Sequence, residues 1–210
     1  QVPQQSPQDV AKAKREKSLY SLIEDAAKFF EEQLLTSGDD TLSYLQERGM
    51  TEDVWSAFRI GFAPTDGQAL YQYLKRADYT DEQMIEAGLV RRSSRSGEPY
   101  SFFRERIMFP VADRRGRVVA FGGRILPDHL RVSYPGANKP PKYINSSDSP
   151  LFHKGRMLYA ESHARQAAAE GQSIIVVEGY VDVIACSMAG YRGAVAPLGT
   201  ALTEDQILAL

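Results

Sequence analysis

The sequence predicts an α+β unit followed by a shorter α/β unit, and three observations carry that reading. Apolar residues recur at helical spacing from Ser18 to Leu89. The pattern then switches to short β-branched and aromatic runs separated by turn residues. After Gly155, helical and strand patterns alternate.

Residues 1–17 are rich in Gln, Pro, Lys and Ala and read as a linker or tail. From Ser18 to Leu35, the residues Leu19, Leu22, Ile23, Ala26, Phe30 and Leu34 fall on one side of a helix, which Ser37-Gly38-Asp39-Asp40 ends. Three short helices are expected near 41–48, 52–58 and 67–76, with Asp40 and Thr51 as N-caps and Gly49 and Gly61 as stops. Thr80-Asp81-Glu82-Gln83 has the spacing of a capping box and opens a further helix ending at Gly88. Residues 18–89 thus read as a small helical bundle with Trp55, Phe58 and Phe62 in its core. Residues 90–156 read as a mixed-strand, basic part of the same subdomain. Within it, Ile107–Val111 and Val118–Phe121 form a hairpin across Asp113-Arg114-Arg115-Gly116. Gly122-Gly123 permits a bend or the close approach of another backbone. Residues 127–142 form a loop, and Lys142–Asn145 a short strand leaving it.

Residues 157–210 read as a βαβ unit: a helix over Glu161–Glu170, a strand at Ile174–Val177, a helix at Val181–Ala189 and a strand at Ala194–Ala196. A second capping box, Thr203-Glu204-Asp205-Gln206, opens the last helix. One βαβ unit cannot close a sheet, so this sheet looks truncated. The absence of an initial Met points the same way, to an excised fragment.

Composition narrows the function. The apolar fraction of 43% is ordinary for a soluble domain, and no apolar stretch approaches the ~18 residues that span a bilayer. One cysteine, Cys186, excludes an internal disulfide and a cysteine-rich zinc site, and suits a reducing cytoplasm. The net charge of −2 hides a strong segregation. Between Arg91 and Arg156 there are 14 Lys and Arg against 5 Asp and Glu, interleaved with Tyr100, Phe102, Phe103 and Phe109. Arginine forks match phosphate and aromatic faces accept unstacked bases, which suits single-stranded nucleic acid. A solvated hairpin with basic tips has the same composition, and Arg114 and Arg115, in a turn, fit that description best.

The most informative stretch is Ile174-Ile175-Val176-Val177-Glu178-Gly179-Tyr180-Val181-Asp182. A β-branched run reads as a strand buried on both faces. A carboxylate at its end is costly unless a positive group meets it, and the carboxyl ends of strands in α/β sheets are where ligands bind. Glu178 is therefore placed at the mouth of a site, with Asp182 on the first turn of the next helix. A cap or an arginine partner for Glu178 is the competing reading. Two carboxylates are too few for a metal cage, since magnesium wants six oxygens, so further ligands are expected beyond Leu210. Leu198-Gly199-Thr200 lies on the same rim, and its amides could contact phosphate. Lys142, Lys154 and His153 sit in a loop region suited to phosphate.

Taken in order, six blocks resemble the RNA polymerase domain of bacterial DnaG-type primases: Arg104–Pro110, Gly116–Arg124, Pro141–Asn145, Phe152–Arg156, Glu178–Asp182 and Leu198–Thr200. Glu-Gly-x-x-Asp alone indicates only a toprim fold, which topoisomerases and some nucleases share; Val181 stands where the family pattern usually has Met. The resemblance implies an α+β N-terminal subdomain with a basic groove, followed by a truncated α/β toprim subdomain. It implies Glu178 as the essential acid of a Mg2+ or Mn2+ site, supported by Asp182. It further implies that Lys142, Lys154, Arg104, Arg106, Arg124, Asn145, Gly199 and Thr200 contact nucleotide or template. The expected activity is DNA-dependent synthesis of short RNA primers from ribonucleoside triphosphates on single-stranded DNA. A zinc-binding domain and a replicative-helicase-binding domain are expected outside this chain, and the isolated fragment is expected to be inactive. A single-strand-binding module without activity, another toprim enzyme and an arginine-rich protein-interaction surface stay open as alternatives.

Overall fold

The computed structural model describes residues 7–36, 39–131, 140–199 and 201–210, with backbone alone at 7–14, 17 and 39. The chain opens with helix α1 (Pro7–Thr36), which starts within the segment expected to be a tail. Gln, Lys and Ala are good helix formers, and the exposed Arg15 pairs with Glu86, tying the early turns of α1 to the rest of the fold. Short helices follow: α2 (Asp39–Gln46), α3 (Glu52–Ala57), α4 (Ala69–Arg76) and α5 (Asp81–Glu86). Thr80 caps α5 through the expected reciprocal box with Gln83.

The expected helical bundle is corrected by one strand. β1 (Gly61–Ala63) is set into the helical stretch and pairs antiparallel with β4 (Arg106–Ala112). Gly61 therefore begins a strand and does not end a helix. It is also a contact point: a Cβ there would stand 2.5 Å from Phe30 Cβ, so α1 lies directly on β1. β2 (Val90–Arg92) and β3 (Pro99–Ser101) form a separate small hairpin. β4 and β5 (Val118–Ile125) form the expected long hairpin, with a register shift at Val111/Ala112. β6 (Tyr143–Asn145) adds to β5, giving the antiparallel order β1-β4-β5-β6.

This sheet is covered on both faces, and the period-two alternation of its strands shows it. From β4, Met108 joins Leu22, Ile23, Phe30 and Leu74 under α1 and α4. Its neighbours Ile107, Phe109 and Val111 point the other way, to Leu45, Trp55, Tyr159 and Tyr180. Trp55 and Phe62 are thus core residues, but of the second face of a sheet. Aromatic edges lock α1 down, with Phe30 perpendicular to Phe121 at 5.2 Å.

The second unit comprises α6 (Glu161–Ala169), β7 (Ile175–Val176), α7 (Tyr180–Met188), β8 (Ala194–Val195) and α8 (Glu204–Ala209). β7 and β8 are parallel and α7 connects them, as expected of a βαβ unit. Thr203 caps α8 through the second box. The expectation that the β7 strand is buried on both faces does not hold: Val176 is 43% exposed. β8 is the one hydrogen-bonded neighbour of β7 among the described residues. The two units share a core, since Tyr180, Val183 and Ile184 of α7 pack with β4 side chains. Arg114, at the β4–β5 turn, binds the buried carboxylate of Glu161 at 2.6 Å; a turn arginine expected to be a bystander joins the two units.

Candidate functional site

The strand β7 ends at Val176, and the chain runs through Val177 into Glu178 and Gly179 before α7 starts at Tyr180. Glu178 and Asp182, both exposed, line one wall of a cleft of about 620 Å³. The facing side chains come from elsewhere in the chain: Arg124 at the end of β5, Lys142 and Tyr143 at the start of β6, and Arg48 after α2. Gly199 and Pro197, after β8, complete the rim.

The charges in this cleft are unpaired in the sense that matters. Among the described residues neither Glu178 nor Asp182 has a hydrogen-bond or ion-pair partner. The cations are held by aromatic rings and not by acids. Arg48 lies 4.8 Å from the Tyr44 ring centroid. Arg124 Nη1 donates to Tyr143 Oη at 2.9 Å, and Arg124 and Lys142 lie 5.5 and 5.8 Å from the Tyr143 centroid. Acids and cations that share a cleft without neutralising each other leave both signs available to a ligand carrying phosphate and metal.

Other expected ligands are placed elsewhere. Arg106 is a correction: it is 4% exposed, in β4, and its guanidinium donates to the carbonyls of Gly123 (3.1 Å), Pro141 (3.0 Å) and Lys142 (3.5 Å). Burial, with the charge of Arg131, pushes its pKa down to about 10, so it stays charged at neutral pH. It buttresses the backbone that presents Lys142 and does not face the cleft. Arg104 lines a separate hollow with Tyr100 and Ser93–Ser96. Lys154 is half-buried beside α8, its amide donating to Asp148 and its carbonyl accepting from Gln206. Asn145 lines the cleft but spends both ends of its amide on protein: Oδ1 accepts from Tyr180 Oη at 2.5 Å, and Nδ2 donates to the Leu198 carbonyl at 3.0 Å. Gly199 has φ +79, and a Cβ there would stand 2.7 Å from Asn145 Nδ2. Thr200 lies outside the described residues.

Sequence reasoning gave no role to three cleft residues, Arg48, Tyr143 and Tyr180. Tyr143 could have been found as the aromatic neighbour of Lys142. Arg48 had no signal, because a cation after the last turn of a helix is usually solvated or serves the dipole.

An acidic Glu-Gly-x-x-Asp turn after a parallel strand, leading into a helix, defines a protein of the toprim class, and the Toprim domain family matches residues 172–210. The DNA primase catalytic core, N-terminal domain, matches residues 29–165. The chain belongs to the DNA primase catalytic core family. It is 41% identical over 191 residues to the DNA primase of Pseudomonas aeruginosa, covering 90% of this chain and 27% of that protein. With the DNA primase of Escherichia coli K12 it shares 37% over 202 residues, 96% of this chain and 33% of that one. The chain therefore spans about a third of the length of the curated relatives it matches. A crystal structure of a DNA primase domain from Pseudomonas aeruginosa superposes with a TM-score of 0.79 at 42% identity, covering 91% of this chain and 57% of that one. A DnaG primase catalytic domain bound to single-stranded DNA superposes with a TM-score of 0.78 at 39% identity, covering 94% and 61%.

Proposed function

We propose that the protein carrying this chain is a DNA-dependent RNA polymerase that makes short RNA primers on single-stranded DNA for replication in the cytoplasm. The observation that carries the reading is the cleft that Glu178 and Asp182, without partners among the described residues, share with Arg48, Arg124 and Lys142. Membership of the primase family agrees with it, as does the likeness to a primase domain bound to single-stranded DNA.

The reaction joins ribonucleotides. The 3′ hydroxyl oxygen of one forms a bond to the α-phosphorus of the next, the bond from that phosphorus to the bridging oxygen of pyrophosphate breaks, and the hydroxyl proton leaves. Arg124 and Lys142 bind and orient the phosphates, and Arg48 extends that positive wall towards the template backbone. Arginine supplies a planar fork and lysine a point charge. Such contacts position a strand without reading its sequence.

The donor set suits a hard divalent cation. Glu178 and Asp182 offer carboxylate oxygens in the cleft, and magnesium usually takes one or two carboxylates completed by water and phosphate. Bound Mg2+ or Mn2+ supplies a lowered pKa for the attacking hydroxyl and offsets charge on the phosphate. Asp182 lies on the first turn of α7, at the N-terminal end of that helix.

Glu178→Gln in the full-length protein is the direct test. Primer synthesis is expected to fall by about 100-fold or more while the thermal transition holds. Near-normal synthesis by a folded variant sinks the assignment, and single-strand binding that persists in a wild-type protein making no primer favours the binding-module reading.

A further inference from the structure

The acidic and basic walls of the cleft belong to different units: Arg124, Lys142 and Tyr143 to β5 and β6, Glu178 and Asp182 to the β7–α7 turn. One side chain bridges them. Tyr180 follows Glu178 by two residues, yet it is only 5% exposed on the rim of an open cleft. Its ring fills a notch in β5 at Gly122, where a Cβ would stand 2.2 Å from Tyr180 Cζ. It stacks on Phe109 of β4 at 5.1 Å and 12°. Its hydroxyl donates to Asn145 Oδ1, and Asn145 Nδ2 donates to the Leu198 carbonyl. The chemistry fixes the orientation of that amide. A carbonyl can only accept, so Leu198 faces Nδ2; Oδ1 is left for Tyr180, whose hydroxyl must be the donor. β5, β6, α7 and the turn after β8 are thereby joined through one phenol and one amide.

On the primase reading of the cleft, we propose that Tyr180, acting through Asn145, is a positioning residue that sets the separation between the carboxylates of Glu178 and Asp182 and the cations Arg124 and Lys142. The buried ring and its occupied hydroxyl do not touch substrate. The residues on either side of it do: Glu178 two positions before and Asp182 two positions after, on a turn whose register against β5 is set by the ring in its notch. Asn145 is the corresponding anchor on the cationic wall, three residues from Lys142 along β6. Transition-state geometry is sensitive to this separation, since a 1 Å misplacement from a distant change can cost roughly 10²-fold in rate.

The test uses Tyr180→Phe, Asn145→Ala and the double variant in the full-length protein. Tyr180→Phe keeps the ring in its notch and removes only the hydroxyl. Each single variant is expected to lower kcat for primer synthesis about 10-fold while KM for ribonucleotides and the affinity for single-stranded DNA change by no more than about two-fold. The double variant is expected to be no worse than the poorer single one, as for two halves of one interaction. Hydrogen exchange is expected to quicken together at 143–145 and 178–182 in either single variant, with β4 unchanged. Unchanged kcat, additive losses, or a fall in kcat that follows the folded fraction overturns the proposal. If the wild-type protein makes no primers, the primase reading fails and hydrogen exchange alone decides. Coupled loosening of the two segments then supports the positioning role, and no change or a uniform increase overturns it.

Discussion

At the scale of single residues, Gly122 and Arg106 do more for the cleft than their positions in the sequence announce. Gly122 leaves room for the Tyr180 ring inside a strand whose first six residues are all buried. Gly122→Ala is expected to destabilise the fold by about 1–3 kcal/mol, because the ring is walled in by Phe109 and Tyr159 and cannot retreat. Urea unfolding measures this, and a variant as stable as the wild type refutes the notch. The Gly122-Gly123 pair was readable as a place of close approach, but what approaches is a tyrosine ring and not another backbone. The exposed placement of Glu178 and Asp182 on a cleft was legible because the signal is local, an acid where an apolar strand stops. Arg104 and Arg106 were not separable by residue type. Two positions apart, one is exposed on a hollow and the other is inside the sheet, where three carbonyls replace the phosphates it was expected to bind. Only the partners decide between those fates, and they lie 17 to 36 residues away.

At the scale of elements, the long hairpin and both capped helices were readable because their determinants sit within a few residues. Asp113 shows how such a turn is held. Burial alone would raise its carboxyl, but hydrogen bonds from the Arg117 side chain and from the Arg117 and Arg115 amides outweigh that and leave it below the ordinary carboxylate range. A carboxyl lowered in the folded state contributes stability that is complete above the unfolded value of about 4 and is lost as pH falls through the folded value. Asp113→Asn is therefore expected to flatten the acid side of the stability profile below pH of about 4 while lowering stability at neutral pH. Urea midpoints across pH show it, and an unchanged acid limb counts against it. β1 was invisible because Gly-Phe-Ala is too short to carry a period, and it is a strand only because β4 lies beside it. The β2–β3 hairpin hides in Ser, Arg and Gly. The β7 run was over-read: β-branched residues signal a strand but do not say how many neighbours it has.

At the scale of the whole molecule, a net charge of −2 conceals a basic segment whose cations are unevenly engaged. Arg92, Arg114, Arg117 and Arg156 pair with acids, while Arg124 and Lys142, joined by Arg48 from outside that segment, rest on aromatic rings in the cleft. Binding to single-stranded DNA is expected to weaken with salt, and Arg48→Ala is expected to reduce the slope of log affinity against log salt by about 0.7, the value for one phosphate contact. Fluorescence anisotropy across a salt series measures it. A slope identical to the wild type removes Arg48 from the strand path. The charge segregation that pointed to nucleic acid was legible at once; which of its members are free to act needed the fold.

The sheet that carries the Gly122 notch is complete once Asn145 is in place, before the chain has reached Tyr180. Every strand of that sheet therefore precedes the ring in sequence. If the ring docks after the rate-limiting barrier, Tyr180→Phe is expected to hasten unfolding and leave the refolding rate unchanged. Stopped-flow chevrons on the full-length protein read this directly, and slowed refolding would place the tyrosine in the nucleus instead.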